Sequence, residues 1–255
     1  MTTLAISAVV LPVVVAVAAG LMGAFALMRR MTLAADALSH VALPGIGIAV
    51  LLRIDPLIGA VVALIAGAVV IWSLERRTNV ATEAIIGVVF SAALAAGALL
   101  TTGDELVDAL FGAATAAPAW ESVTGLLAAT AVIAFLLAAR DRLIVMFMST
   151  DIAMTAGIDV RRLSLLYLLA FALTVALGLR YLGALLMGSL IIIPATAARH
   201  VARNLHQMLA ISAIAAVLAT VAGMMIAAFV HRPTGPLIVA VASALFVIAL
   251  FIRPR

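Results

Sequence analysis

Long apolar runs, separated by short polar turns, occupy nearly the whole chain. Each run is long enough to cross a hydrocarbon core of about 30 Å as an α-helix, which rises about 1.5 Å per residue. The pattern therefore predicts an all-α integral membrane protein with eight or nine transmembrane helices. The runs lie at residues 4–27, 36–52, 57–74, 83–101, 123–139, 163–179, 181–198, 208–230 and 237–252.

The composition agrees with this pattern and excludes other classes of protein. Hydrophobic residues make up 67% of the chain and charged residues 10%, whereas a soluble domain carries about 25% charged residues. We therefore expect a single transmembrane domain over residues 1–255, surrounded by membrane lipid. The net charge of +4 does not indicate a nucleic-acid partner, because the basic residues stand singly or in pairs at the ends of the runs. The chain contains no cysteine, which excludes a thiolate metal site.

The arginines predict how the chain is oriented, and every basic residue is an arginine because the chain has no lysine. With the N-terminus outside and nine alternating spans, only Arg53, Arg180 and Arg232 lie outside. The positive-inside rule requires this bias. We therefore expect a multi-pass plasma membrane protein with a cytoplasmic C-terminus. The cytoplasmic arginines are then Arg29, Arg30, Arg76, Arg77, Arg140, Arg142, Arg161, Arg162, Arg199, Arg203, Arg253 and Arg255.

One acidic and one imidazole side chain interrupt the second apolar run. Asp36 and His40 are four residues apart, which is one helical turn, so both lie on one face of a helix. Ionisable groups at membrane depth are costly and usually line a pathway or bind an ion. A carboxylate with an imidazole suits a first-row divalent metal ion, although two ligands do not complete its coordination shell. The spacing alone leaves a plain hydrogen-bonded pair near a helix end equally open.

Two further polar residues are candidates for the same pathway. Ser39 lies between the aspartate and the histidine of the second run. Glu83 opens the fourth run at its cytoplasmic end, where it is either an acid favoured by the helix dipole or a residue of the ion exit.

A short polar segment between the fifth and sixth runs has the marks of a small helix. Ser149, Thr150 and Asp151 form a cluster of good N-cap residues, and Gly157 is a typical stop signal. We predict a short interfacial helix at this position.

The chain lacks the residues that nucleotide hydrolysis needs. The phosphate-binding loop of Walker type uses a lysine to reach the phosphates, and this chain has none. We therefore expect a transport protein that is not itself an enzyme and that depends on a partner for any ATP hydrolysis.

Five motifs follow one another along the chain, at residues 29–45 (RRMTLAADALSHVALPG), 83–91 (EAIIGVVFS), 110–112 (LFG), 183–198 (GALLMGSLIIIPATAA) and 233–236 (PTGP). In this order they resemble the motifs of the permeases of zinc, manganese and iron ABC importers. The resemblance covers nearly the whole chain. One position departs from the family pattern, since Ala35 stands where these permeases usually carry a glycine before the aspartate.

The resemblance implies a permease of the type II ABC importer kind. Such a permease pairs with a second copy, as a homodimer or pseudo-dimer, around a central pathway. It works with a cytoplasmic ATP-binding subunit and an extracytoplasmic metal-binding protein, and the divalent metal is its substrate rather than a permanent cofactor. The resemblance assigns Asp36 and His40 to the metal pathway and the segment at 149–162 to a coupling helix. The coupling residues are Ser149, Asp151, Ala153, Ala156, Gly157 and Asp159.

Two alternative functions stay open at this point. One is an ABC permease for a chelated metal or a vitamin, although such chains are generally longer and do not need an Asp/His pair. The other is a carrier of a different class. An ion-coupled secondary carrier could use Asp36 and His40 as a proton relay. A neighbouring gene for a Walker-type ATPase would favour the importer, and its absence would favour the carrier. Zinc, manganese and iron cannot be distinguished, because the same donor atoms serve all three.

Overall fold

The computed structural model describes residues 2–31, 33–78, 80–100, 119–182 and 184–252, and over these residues the fold is entirely helical, with no strand. The helices are α1 (Thr2–Met28), α2 (Ala34–Leu51), α3 (Pro56–Arg77), α4 (Thr82–Leu100), α5 (Ala119–Ala138), α6 (Arg140–Met148), α7 (Thr150–Thr155), α8 (Val160–Leu182), α9 (Ala184–Val201), α10 (Leu205–Val230) and α11 (Thr234–Phe251).

Eight of the helices within the described residues are long and apolar enough to cross a membrane: α1 to α5, α8, α10 and α11. The ninth long helix, α9, coincides with the seventh apolar run and packs against α1, α2, α10 and α11. The predicted all-α membrane fold is thus confirmed. The polar stretch at 102–121, expected to hold a loop or a re-entrant helix, and the motif at 110–112 lie wholly or mostly outside the described residues.

Local sequence signals set several helix ends. The side chain of Asp55 accepts a hydrogen bond of 2.8 Å from the backbone of Leu57, and Pro56 occupies the first position of α3. Asn204 caps α10 by accepting a hydrogen bond of 2.8 Å from the backbone of Gln207. These polar turns end one span and start the next within a few residues, which keeps the helices antiparallel.

Small residues such as Gly20 and Gly23 allow the helix backbones to approach closely. A Cβ added to Gly20 would lie 2.7 Å from the carbonyl oxygen of Ser212 in α10, and one added to Gly23 would overlap Ile191 in α9. The hydroxyl of Ser212 also donates a hydrogen bond of 2.6 Å to the carbonyl of Gly20. The helices α1, α9 and α10 therefore form a tightly packed centre.

The second helix lies between α3, α4 and α9. It crosses α3 at Gly45 and Gly59, where a Cβ on either glycine would overlap the carbonyl oxygen of the other. Pro44 lies inside α2, which is helical from Ala34 to Leu51, and the next residue, Gly45, makes this close crossing possible.

A partly buried ion pair joins the ends of several helices at one side of the bundle. Arg29, just after α1, donates to the carboxylate of Glu75 at the end of α3 and to the hydroxyl of Ser164 at the start of α8. The Arg29 guanidinium also lies 5.3 Å from the ring centre of Tyr167. Because Arg29, Glu75 and Ser164 lie on the same side of the bundle, the chain must cross the membrane an even number of times between each of them and the next. The predicted alternation of spans meets this requirement.

A second ion pair joins helices at the opposite side. Glu121 in the first turn of α5 accepts hydrogen bonds from Arg180 in the last turn of α8, one of them 3.2 Å long. The Glu121 residue is 6% exposed, so the pair is largely buried. Among the described residues, an ion pair thus connects distant helices at each side of the bundle.

Candidate functional site

The predicted metal-pathway residues lie in the first two turns of α2. This helix begins at Ala34, two residues before the predicted start of the run, and Asp36 is the acid of its first turn. A carboxylate is favoured there by the positive end of the helix dipole. Asp36 is exposed, and His40, one turn further along, is half-buried.

Asp36 lies where the neighbouring helix α9 comes close. A Cβ added to Gly188 of α9 would be 3.1 Å from both the Cα and the Cβ of Asp36, so the two backbones almost touch. Within the described residues no hydrogen bond or ion pair engages the Asp36 carboxylate. The carboxylate is therefore available to a ligand from outside the subunit.

The imidazole of His40 is held on one side by an aromatic ring and leaves one nitrogen unsatisfied. It packs edge-on against Phe90 of α4, with ring centres 5.4 Å apart and planes at 65°. Its Nδ1 is buried without a hydrogen-bond partner among the described residues. The simple alternative, an Asp36–His40 hydrogen bond, is not formed there.

The two donors do not make a complete metal site by themselves. No group of three or more histidine, cysteine or acidic side chains that could hold a metal ion occurs in the described part of the chain. Further donors would come from water or from a second copy of the chain.

The other two candidate pathway residues differ from this pair in their surroundings. Ser39 is fully buried, and its hydroxyl donates a hydrogen bond of 2.6 Å to the carbonyl of Asp36 within the same helix. Glu83 is exposed in the first turn of α4, where no described residue pairs with it. Their assignment to the pathway stays a prediction.

The expected small helix is present as α7. The hydroxyl of Ser149 accepts a hydrogen bond of 3.3 Å from the backbone of Ile152, and Gly157, after the end of the helix, has a φ of 76°. Ala153 is fully buried and anchors the helix, while Asp151 and Ala156 are exposed. Both helix signals read from the sequence are thus found in the structure.

The segment ends in a second cap. The carboxylate of Asp159 accepts a hydrogen bond of 3.0 Å from the backbone of Arg162 and forms an ion pair of 3.1 Å with its side chain. The nine-residue helix α6 before this segment was not expected from the sequence. The fifth apolar run ends at 139, and the charged residues that follow it did not indicate a helix. The chain thus forms two consecutive short helices, α6 and α7, and Asp159 caps the start of α8.

The sequence model of the ABC 3 transport family matches residues 1–253 of the chain. The chain belongs to the ABC 3 transport family. The interpretation of the five motifs is therefore confirmed. The class of protein that they indicated is confirmed too: the chain is a membrane permease of the family that serves the zinc, manganese and iron importers.

Known members of the family are similar over almost their full length. The high-affinity zinc uptake system membrane protein ZnuB of Haemophilus influenzae is 30% identical over 241 residues, which cover 92% of each chain. The manganese transport system membrane protein MntC of Halalkalibacterium halodurans is 31% identical over 252 residues, covering 95% of this chain and 85% of the other. The solved structure of PsaBC from Streptococcus pneumoniae in complex with Fab matches with a TM-score of 0.83 and 26% identity, covering 97% of this chain and 91% of that one.

The departure from the family pattern is accommodated by packing. Ala35 is fully buried in α2, so a methyl group fits where these permeases usually carry a glycine. It does not change the position of Asp36 in the first turn of the helix.

The two ion pairs that join distant helices were not predictable from the sequence. Arg29 and Glu75 are 46 residues apart, and Glu121 and Arg180 are 59 residues apart, so no local spacing connects them. The only available signal was that each pair combines opposite charges at the ends of spans assigned to the same side.

Proposed function

We propose that this chain is the permease subunit of an importer for a divalent transition metal, with ATP hydrolysed by a separate cytoplasmic subunit. The observation that carries the proposal is the pair in α2: an exposed carboxylate at Asp36, and at His40 an imidazole with an unsatisfied nitrogen. This helix also has the lowest mean hydropathy, 1.5, of the eight candidate spans in the described residues. Those features suit a helix that faces a wet pathway.

The exposure of Asp36 argues against a lipid-facing position. A charged side chain inside the hydrocarbon region is costly and is found facing a bundle interior or a water-filled cavity. An exposed carboxylate in a membrane span thus belongs at a pathway or at a subunit contact. A second copy of the chain, related by two-fold symmetry, would bring two carboxylates and two imidazoles to one axis. Such a set of donors suits zinc, manganese or iron.

The short helix α7 supports a partnership with the ATP-binding subunit. Its exposed apolar side chains include Ile152, which is 61% exposed, and Met154, which is 56% exposed. Exposed apolar side chains on a short capped helix are suited to a protein contact. We assign α7 and the cap at Asp159 to the docking of the ATPase.

The remaining partners follow from the orientation, in which the N-terminus is outside and the C-terminus is cytoplasmic. The turns at 53–56 and 231–236 then face outward, where an extracytoplasmic metal-binding protein would dock. The first of these turns is short and rigid, since Asp55 caps α3 and Arg53 has a φ of 57°.

ATP dependence tests the proposal against the proton-coupled carrier, which family membership already disfavours. The permease and its ATPase are reconstituted in proteoliposomes, and the uptake of Mn²⁺, Zn²⁺ and Fe²⁺ is measured. We expect uptake with ATP, none with a non-hydrolysable ATP analogue, and no effect of collapsing the proton gradient. Uptake that follows the gradient and ignores ATP would contradict the importer.

A further inference from the structure

A basic cavity lies at the Arg29 end of the bundle, and neither Asp36 nor His40 lines it. It has a volume of about 540 Å³ and opens between the end of α1, the end of α6, the end of α9 and the start of α10. Three arginines line it, Arg30, Arg199 and Arg203, together with Asn204 at the start of α10. No acidic residue of the described chain lines this cavity.

The three arginines lack the ion-pair partners that some other arginines at this end of the bundle have among the described residues. Arg29 is paired with Glu75, and Arg162 with Asp159. By contrast, Arg30, Arg199 and Arg203 donate from their guanidinium groups to no described residue and form no ion pair there. Three arginines without an ion-pair partner among the described residues thus line one cavity, and their positive charge attracts an anion.

Arg30 and Asn204 contribute further features of an anion site. Arg30 has a φ of 60°, a left-handed backbone that turns the chain sharply after α1 and brings this residue to the cavity. Asn204 begins the 26-residue helix α10, whose positive dipole end therefore faces the same space.

The rest of the lining is apolar. It includes Leu27, Phe147, Leu205 and Met208. A cavity lined by both arginines and apolar side chains fits an amphiphilic anion better than a small hydrated one, because the apolar part of the ligand gains from leaving water. The cavity is also unsuited to the transported cation, which three arginines would repel.

We propose that this cavity binds the phosphate headgroup of an anionic phospholipid, with the start of an acyl chain against the apolar lining. The cavity is formed by the ends of membrane helices, where lipid headgroups lie, and in the orientation proposed above these ends face the cytoplasmic leaflet, which carries the anionic lipids. The site adjoins α6, since Phe147 and Met148 line it, and it therefore connects the lipid to the segment that precedes α7.

Lipid retention by the purified permease–ATPase complex tests the proposal. Phosphatidylglycerol and phosphatidylethanolamine that remain bound are quantified by native mass spectrometry. The double variant Arg199→Gln/Arg203→Gln is compared with Arg199→Lys/Arg203→Lys, and with the matched control Arg77→Gln/Arg142→Gln. The control removes two exposed arginines at the same end of the bundle that do not line the cavity.

We expect the glutamine variant to bind phosphatidylglycerol at least about tenfold more weakly. We expect the lysine variant to retain most of the binding and the control to match the wild type. Size-exclusion profiles and metal uptake report folding, and uptake also separates failure of this proposal from failure of the pathway assigned to Asp36 and His40. Equal retention of phosphatidylglycerol by the wild type and the glutamine variant would overturn the proposal.

Two further arms distinguish other occupants. Short-chain phosphatidylglycerol should raise the Tm of the wild type at concentrations where inorganic phosphate and short-chain phosphatidylcholine do not. Equal stabilisation by inorganic phosphate would assign the cavity to a free anion instead of a lipid. Loss of ATPase co-purification with unchanged lipid binding would assign the arginines to an acidic surface of the ATPase. Either result would contradict the lipid site.

Discussion

Arg29 donates from one guanidinium nitrogen to both carboxylate oxygens of Glu75, at distances of 3.0 and 2.9 Å. The side chains are each 13% exposed, so the pair is largely removed from water. Thr82, at the start of α4, donates a further hydrogen bond of 2.6 Å to the same carboxylate. The ion pair and this hydrogen bond thus join the end of α1, the end of α3 and the start of α4.

Neutralising Glu75 should destabilise the bundle at this end. In Glu75→Gln the Arg29 charge stays in a mostly buried position without its counter-charge, which costs about 2–3 kcal/mol, somewhat less than for a fully buried pair. We expect a lower Tm for the purified complex in detergent. The control is Asp141→Asn, because the Arg140–Asp141 pair has side chains that are 42% and 76% exposed. Equal Tm values for the two variants would mean that the Arg29 pair is not a structural contact.

The crossing of α2 and α3 makes a second prediction. Gly59→Ala puts a methyl group into the carbonyl of Gly45, and only a backbone shift can remove the overlap. We expect a loss of stability of about 1–3 kcal/mol, together with a displacement of α2 that lowers metal uptake.

The matched control for this crossing is Gly87→Ala in α4. A Cβ at Gly87 has no atom within 4 Å, so the same substitution should be neutral or slightly stabilising. Thermal unfolding followed by a fluorescent size-exclusion assay measures both variants. An unchanged Tm in Gly59→Ala would show that α2 and α3 can move apart without a loss of stability, which would contradict this prediction.

The exposed face of α7 makes a third prediction. Ile152→Glu places a charge in the surface assigned to ATPase docking without disturbing the buried anchor Ala153. We expect the amount of ATPase that co-purifies with the permease to fall at least tenfold, roughly what removing one buried contact residue of an interface costs.

Val80→Glu is the control for this docking surface. Val80 is 54% exposed in the turn between α3 and α4, at the same end of the bundle. The variant should keep the ATPase. If Ile152→Glu also kept its ATPase, the partner would dock elsewhere.

The sequence predicted the spans well because the signal for a membrane helix is long and local. The run at 83–101 became Thr82–Leu100, and the run at 237–252 became Thr234–Phe251. Helix α7 was also predictable, since Ser149 and Gly157 are local cap and stop signals. Helix α6 was missed because its charged first turn, Arg140 to Arg142, has the composition of a loop.

The neighbours of each helix could not be predicted. A span that is apolar on all sides has no periodic face that identifies its packed side, so nothing in the sequence paired Gly45 with Gly59 or Arg29 with Glu75. For the same reason, the candidate metal site could be predicted from the sequence only in part. Asp36 and His40 share a face by helical spacing alone, whereas the contacts of His40 with Phe90 and of Asp36 with Gly188 depend on which helices flank α2.

The metal pathway itself makes the last prediction. Asp36→Ala and His40→Ala remove the two donors, and the loss of either ligand should lower transport at least about tenfold. His206→Ala is the control, because this imidazole is exposed near the start of α10, away from α2.

ATP-driven uptake of Zn²⁺ and Mn²⁺ by proteoliposomes that contain the permease–ATPase complex is the most direct measurement. The account predicts that both α2 variants assemble with the ATPase, keep a normal Tm and lose uptake, while His206→Ala transports at the wild-type rate. Wild-type uptake in both Asp36→Ala and His40→Ala would contradict it.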